Sequence, residues 1–351
     1  MAGAKKMKKG ILLSNLGSPS APTPEALKVY LDQFLMDRYV IDLPFVLRAL
    51  LVRGIILRTR PKKSAHAYEV IWSPEGAPLV VTTDKLTQKV QQALGDDYSV
   101  KFAMRYGEPS FQKVLDQFKS EGISEVSLLP LYPQWAYAST GSTEAHIKEL
   151  NHSVKVTKQL DPFADDPDFI QLWLKRFVDS KIPKDSLKTH YLFSFHGIPE
   201  RHIKKRTPDC GTCRFDKSCC LAASAPKFCY RSLCEKTALG ITRAMGLQES
   251  EYTVTFQSRL GLDPWLKPYT DKVIVELPKQ GVERLVMFSP AFTADCLETI
   301  EELGVRAKED FEEAGGKEFS LIPSLNAGDD WAALLAQWVR EEKYFAKPNW
   351  L

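Results

Sequence analysis

Two similar Rossmann-like α/β lobes, each a parallel sheet flanked by helices, with an active-site cleft between them, are the architecture predicted by this 351-residue sequence. Its main support is an internal repeat. Leu12-Leu-Ser14-Asn-Leu-Gly17-Ser-Pro19 aligns with Leu192-Phe-Ser194-Phe-His196-Gly197-Ile-Pro199. Val100-Lys-Phe102-Ala-Met-Arg105-Tyr-Gly107 aligns with Val254-Thr-Phe256-Gln-Ser-Arg259-Leu-Gly261. A looser third pair matches 122–132, ending Pro130-Leu-Tyr132, with 281–292, ending Pro290-Ala-Phe292. Chance can supply one such match, but three in the same order need a common cause. Each segment is also a short apolar run closed by Gly or Pro, as buried strands read. Helical stretches separate these runs, and that alternation builds parallel sheets. The expected division is 8–175 for the first lobe and 176–345 for the second.

The elements follow in chain order. Ile11-Leu12-Leu13 opens the first strand, after a basic start that lacks the apolar core of a signal peptide. Thr23-Pro24-Glu25 is an N-cap with proline in the first turn, predicting a helix to about Leu35. Helices are also expected over 83–94, 109–121, 167–178, 264–279 and 329–343. The first lobe carries an extra stretch at 34–68, where apolar residues alternate with Arg48, Arg53, Arg58 and Arg60. Such a stretch can pack as a helix on the lobe, form a lip over a greasy anionic ligand, or touch a membrane surface. After the strand-like Arg284-Leu-Val-Met-Phe288 comes a helix carrying Asp295, Glu298 and Glu302 at i, i+3 and i+7. At 100° per residue the three carboxylates share one face of an α-helix.

Composition limits the possible functions. With 44% hydrophobic and 26% charged residues the chain is ordinary globular protein, and 47 basic against 44 acidic residues give +3, too little to point to nucleic acid. No apolar run is long enough to span a membrane, so a cytoplasmic protein is expected. There is no phosphate-binding glycine loop and no dinucleotide fingerprint, which argues against ATP and NAD. Six of the seven cysteines fall between 210 and 234, in a polar, lysine-rich loop. In a reducing compartment that clustering points to a metal centre rather than disulfides. All-thiolate ligands suit zinc or an iron–sulfur cluster, and their spacing does not choose between them.

Two features carry candidate chemistry. His196 ends a buried strand before a glycine turn, the place where α/β sheets build ligand sites, and imidazole is the side chain suited to accept a proton near neutral pH. Its repeat-mate is Leu16, so the two strand ends differ chemically. The acidic stripe of Asp295, Glu298 and Glu302 repels itself unless it handles cations or protons.

Ser194-Phe-His196-Gly-Ile-Pro199, Phe256-Gln-Ser-Arg259-Leu-Gly261 with Pro264-Trp265-Leu266, and Phe292-Thr-Ala-Asp295-Cys-Leu-Glu298-Thr together resemble the ferrochelatase family. So do Asn15-Leu-Gly17, Leu131-Tyr-Pro-Gln-Trp135 and Ser139-Thr-Gly-Ser142, in order over nearly the whole chain. The resemblance implies a chelatase-like, two-lobed enzyme that inserts ferrous iron into a porphyrin, protoporphyrin IX being favoured over coproporphyrin III. A cobalt chelatase and a non-catalytic tetrapyrrole carrier are the more distant alternatives. Retention of both His196 and Glu298 argues against a carrier.

The same resemblance implies His196 and Glu298 as the essential pair meeting the iron, with Asp295 and Glu302 continuing an acidic track. Leu16, Arg105, Tyr106, Trp135 and Trp265 would be substrate-binding; Trp135 stands where many relatives have tyrosine. The cysteine insertion, at about 209–234, would hold a [2Fe–2S] cluster on Cys210, Cys213, Cys220 and Cys229, with Cys219 as substitute and zinc as the alternative metal. Cys234 is set aside because cluster-free relatives also have cysteine there. Cys296 replaces a histidine found in some relatives and is expected to be a packed thiol.

Overall fold

The computed structural model describes residues 8–206, 213–261 and 263–348. Among them the strands are β1 (Lys9–Gly17), β2 (Tyr98–Tyr106), β3 (Glu125–Pro130), β4 (Lys155–Leu160), β5 (Thr189–His196), β6 (Tyr252–Gln257), β7 (Arg284–Phe288), β8 (Glu318–Leu321) and β9 (Phe345–Ala346). They form two sheets. The first runs β2-β1-β3-β4-β9, parallel except for the antiparallel β9, and the second runs β6-β5-β7-β8, all parallel. The repeats map onto this topology: β1 and β5 are flanked on one side by β2 and β6, on the other by β3 and β7. An inner strand of a covered parallel sheet is buried on both faces, which is why Leu12 and Leu13, like Leu192, Phe193 and Phe195, are apolar and buried.

Two compact units result, one holding residues up to 132, 137–161 and those from 326, the other 133–136 and 162–325. The expected boundary at 175/176 therefore falls inside the helix Pro167–Asp179. Aromatic packing places that helix in the second unit. Trp173 and Phe177 meet Phe288 of β7 with ring centroids 6.5 and 6.0 Å apart, and Phe288 stacks on Phe193 of β5 at 4.9 Å. In the other direction, the helix Asp329–Glu341 returns to the first unit and packs on the helix Pro78–Leu94.

Local signals explain most helix ends. Thr23 is extended and its side chain accepts from the Ala26 amide at 3.3 Å, opening Pro24–Leu35 as its sequence predicts. The helix expected over 264–279 is shorter, Thr270–Glu276, followed by a 3₁₀ turn, Pro278–Gln280. Residues before it stay extended because Pro268 spends its carbonyl on the Phe256 amide at 2.8 Å and Trp265 bridges to Pro199. Proline also restrains the residue before it from helical angles.

The stretch at 34–68 is mostly helical: Phe45–Leu51, a π-helical segment Val52–Ile56, then Leu57–Ile71. Arg48 turns inward, donating to the Ile41 and Leu43 carbonyls at 3.1 and 2.9 Å. Arg53 makes a two-pronged pair with Asp32 at 2.8 and 3.0 Å. Phe45, Val46, Leu47, Leu50 and Ile55 are exposed. Among the described residues no helix is long and apolar enough to cross a membrane.

The ring stack around Phe288 makes one stability prediction. Phe288→Ala removes the plate that joins the helix Pro167–Asp179 to β5 and β7, so it should cost about 3–5 kcal/mol. A urea titration followed by tryptophan fluorescence should show a clearly lower midpoint; an unchanged midpoint would mean the helix is held by other contacts.

Candidate active site

His196 closes β5. Its Nδ1 lies 2.6 Å from the carbonyl oxygen of Gly197. A carbonyl only accepts, so Nδ1 carries the hydrogen, and in the neutral ring Nε2 keeps its lone pair for a proton or a metal ion. The His196 carbonyl accepts from the Tyr230 hydroxyl at 2.7 Å, and the Phe292 ring stands edge-on to the imidazole, 6.5 Å between centroids. The residue after it must be glycine. A Cβ on Gly197 would sit 2.7 Å from the Ser258 oxygen and 2.9 Å from the Gln257 oxygen, both main-chain atoms.

The acidic residues are carried differently from the α-helical expectation. Glu298–Ala307 is a π-helix, and Asp295 precedes it. In this wider i→i+5 winding, residues four and five apart come over one another. Glu298 and Glu302 thus still share a face, while Asp295 is held by the turn. Asp295 Oδ1 accepts from Thr299 Oγ1 at 3.0 Å and from the Ser324 amide at 3.4 Å. Glu302 Oε2 accepts from Ser258 Oγ at 2.6 Å. Glu301, between them in sequence, is paired through both oxygens with Arg306 at 2.8 Å. Cys296 is buried beside Glu298, and burial, then the Glu298 charge, push its thiol well above the ordinary range. The thiol stays neutral there.

Three of these partners were missed by sequence reading: Gln257, Ser258 and Tyr230. The repeat held a signal for two of them, since Gln257 and Ser258 stand where the first lobe has apolar Ala103 and Met104.

In the first unit, Arg105 and Tyr106 converge on Asp37. Its Oδ2 accepts from Arg105 Nη2 at 2.5 Å, Tyr106 Oη at 2.7 Å and Ser142 Oγ at 2.5 Å. Tyr106 is only 1% exposed, and burial, then the Asp37 charge, hold its phenol well above its ordinary pKa. It braces Arg105 and offers no open face. Nearby His146 is pushed down to about 4 by burial, then by the Arg105 charge. Leu16 lies half-buried near the end of β1, and its amide donates to Asn15 Oδ1. In the second unit Trp265 is half-buried and donates to the Leu260 carbonyl at 3.0 Å, whereas Trp135 is buried.

Cys210 lies outside the described residues. Cys213 and Cys219 are half-buried, Cys220 and Cys229 are buried, and Cys234 is buried in the helix Tyr230–Met245. Burial pushes Cys220 up to about 12; the Arg231 charge opposes this, while Cys229 and Cys219 add to it. Cys229 is raised likewise, first by burial, with Cys219 contributing. Among the described residues no group of three or more His, Cys, Asp or Glu side chains is placed to hold a metal ion.

The fold is shared with SirB from Bacillus subtilis, a structure solved with Fe3+: the match covers 99% of that chain and 96% of this one, with a TM-score of 0.50 at 12% identity. Sequence narrows the class. The ferrochelatase family model matches residues 8–343. The ferrochelatase of Pseudomonas syringae pv. tomato is 44% identical over 331 residues, 92% of this chain and 94% of that protein. That of Azotobacter vinelandii is 43% identical over 335 residues, 94% and 98%. The chain belongs to the ferrochelatase family, enzymes of haem biosynthesis that insert ferrous iron into a porphyrin.

Proposed function

We propose that the porphyrin is protoporphyrin IX and that His196 and Glu298 meet the incoming iron and the departing protons. The reaction exchanges two pyrrole N–H protons for one Fe²⁺, so neutral porphyrin and a dication give haem and two protons. It needs a proton acceptor beside the ring and carboxylates to carry charge away. The observation that supports the pair most strongly is the fixed imidazole. With Nδ1–H committed to the Gly197 carbonyl, only Nε2 is available to take a proton or touch iron. Glu298 and Glu302 on one π-helical face, with Asp295 before it, continue the acidic track. Following the resemblance, Leu16, Trp135 and Trp265 supply apolar contacts, and Tyr106 acts through Asp37 and Arg105. Protoporphyrin is favoured because coproporphyrin III brings two further propionates. Arg48, Arg53, Arg105 and Arg259 already have hydrogen-bond partners within the protein. Anaerobic turnover with ferrous iron and each porphyrin tests both readings. Protoporphyrin IX should be metallated faster, and His196→Ala should abolish turnover while porphyrin still binds. Faster coproporphyrin turnover, or an active His196→Ala enzyme, would overturn the corresponding claim.

The resident cofactor suggested by the resemblance is a [2Fe–2S] cluster on Cys210, Cys213, Cys220 and Cys229, with Cys219 as substitute. The donor chemistry fits. Cys219 and Cys229 both help raise the Cys220 thiol and Cys219 helps raise that of Cys229, and bound metal would supply the positive charge that makes thiolates favourable. Such a cluster would lend the loop redox chemistry, and its role would be structural or redox-sensing rather than part of the insertion step. Cys213→Ser should bleach the visible absorption of the purified protein, and an unchanged spectrum would reject the assignment.

The cytoplasmic protein would also touch membranes peripherally, through the exposed Phe45, Val46, Leu50 and Ile55 beside Arg58. Flotation with phosphatidylglycerol vesicles should carry the protein upward, and Leu50→Glu should release it. Failure of the unaltered protein to float would remove this contact.

A further inference from the structure

A polar side chain buried at the end of an inner sheet is costly unless both its ends are satisfied. Gln257, the last residue of β6, is 3% exposed and satisfied at both. Its Oε1 accepts from Ser194 Oγ at 2.9 Å, and its Nε2 donates to the main-chain carbonyl of Glu298 at 3.1 Å. Because that carbonyl can only accept, the amide has one orientation. Ser194 Oγ lies 2.9 Å from Thr270 Oγ1, itself 2.9 Å from Thr255 Oγ1, so a buried hydroxyl chain backs the amide. The Gln257 carbonyl accepts from the Gly197 amide at 2.6 Å, and Gln257 is the register partner of His196.

One residue therefore contacts the strand that carries His196, the glycine after it, and the first residue of the π-helix that carries Glu298. Its neighbour Ser258 extends the link by one helical turn. Held at φ +56°, Ser258 donates to Glu302 at 2.6 Å. Non-glycine residues rarely adopt that conformation, and it persists where the surroundings require it. We infer that Gln257 is a positioning residue that fixes the spacing between His196 and Glu298, with Ser258 doing the same for Glu302. This role presupposes that His196 and Glu298 are the reacting pair.

Anaerobic iron insertion by Gln257→Leu, Gln257→Glu, Ser194→Ala and Glu298→Gln enzymes tests it, with porphyrin affinity measured by fluorescence quenching. In Gln257→Leu, kcat should fall about 10²-fold, the loss expected when reacting groups are misplaced by about 1 Å. Porphyrin Kd should stay within about twofold, because ground-state binding is not what is lost. Ser194→Ala keeps the amide but loosens it, and should lower kcat about three- to tenfold. Gln257→Glu can donate to the Glu298 carbonyl only when protonated, so its kcat relative to Gln257→Leu should rise as pH falls. Wild-type kcat in Gln257→Leu beside an inactive Glu298→Gln enzyme would overturn the positioning role. So would a loss confined to porphyrin affinity. An active Glu298→Gln enzyme would instead overturn the assignment of the reacting pair. Should Gln257→Leu not fold, wild-type kcat in Ser194→Ala with a pH-independent deficit in Gln257→Glu rejects the inference.

Discussion

At Gly197 the chain passes so close to the turn after β6 that a single Cβ would meet two carbonyl oxygens, at 2.7 and 2.9 Å. The rest of the site is built outward from that approach. It lets the Gly197 amide reach the Gln257 carbonyl, extending the β5–β6 ladder one residue beyond His196. It places the Gly197 carbonyl where His196 Nδ1 can donate to it, which fixes the tautomer. From the same turn, Gln257 and Ser258 reach across to the π-helix. A larger residue at this position would have to separate the ends of β5 and β6, and the imidazole and the carboxylates would then lose their common reference.

The π-helix follows the same logic. An α-helix starting at Glu298 would bring residues three and four apart over each other. The wider winding brings four and five, which keeps Glu298 and Glu302 on one face while Glu301 turns to Arg306. Glu301 is neutralised by an arginine, whereas Glu302 and the preceding Asp295 are held by neutral donors. Like charges so arranged retain their need for a cation or proton. The buried Cys296, kept neutral beside Glu298, adds no competing charge.

Much of this was legible in the sequence, and the failures have physical causes. The three internal matches located β1, β2, β3 and β5, β6, β7, because strands of a covered parallel sheet read as apolar runs. The segment before Thr270 reads as helix by periodicity, but there proline and Trp265 bond to β6 and Pro199 instead. The π-helix had no sequence signature; its acids were found, its winding was not. The division between units was placed inside the helix Pro167–Asp179 because no composition shift marks where aromatic packing assigns it. Gln257 and Ser258 belong to a motif whose pattern gives them no role, although their repeat-mates Ala103 and Met104 are apolar.

That contrast shows how one topology serves two ends. Both units place an arginine just beyond or at the end of the second repeat strand, and each pairs with an aspartate. Arg105 and Asp37 are half-buried against the buried Tyr106 and Ser142, and Arg259 and Asp271 pair at 2.7 and 3.0 Å where both are partly exposed. The pairing is common to both, so it belongs to the scaffold. What differs is the strand ends around it. The first unit closes its inner strand with Leu16, and on β2 the apolar Ala103 and Met104 stand where the second has Gln257 and Ser258. The second closes it with His196 and backs it with a chain of hydroxyls and an amide leading to a carboxylate. Burying those polar groups is justified only if every one is satisfied, and Ser194, Thr255, Thr270 and Gln257 are. The two units thus share one frame, and the polar residues at the strand end of the second are the ones that join β5 and β6 to the π-helix.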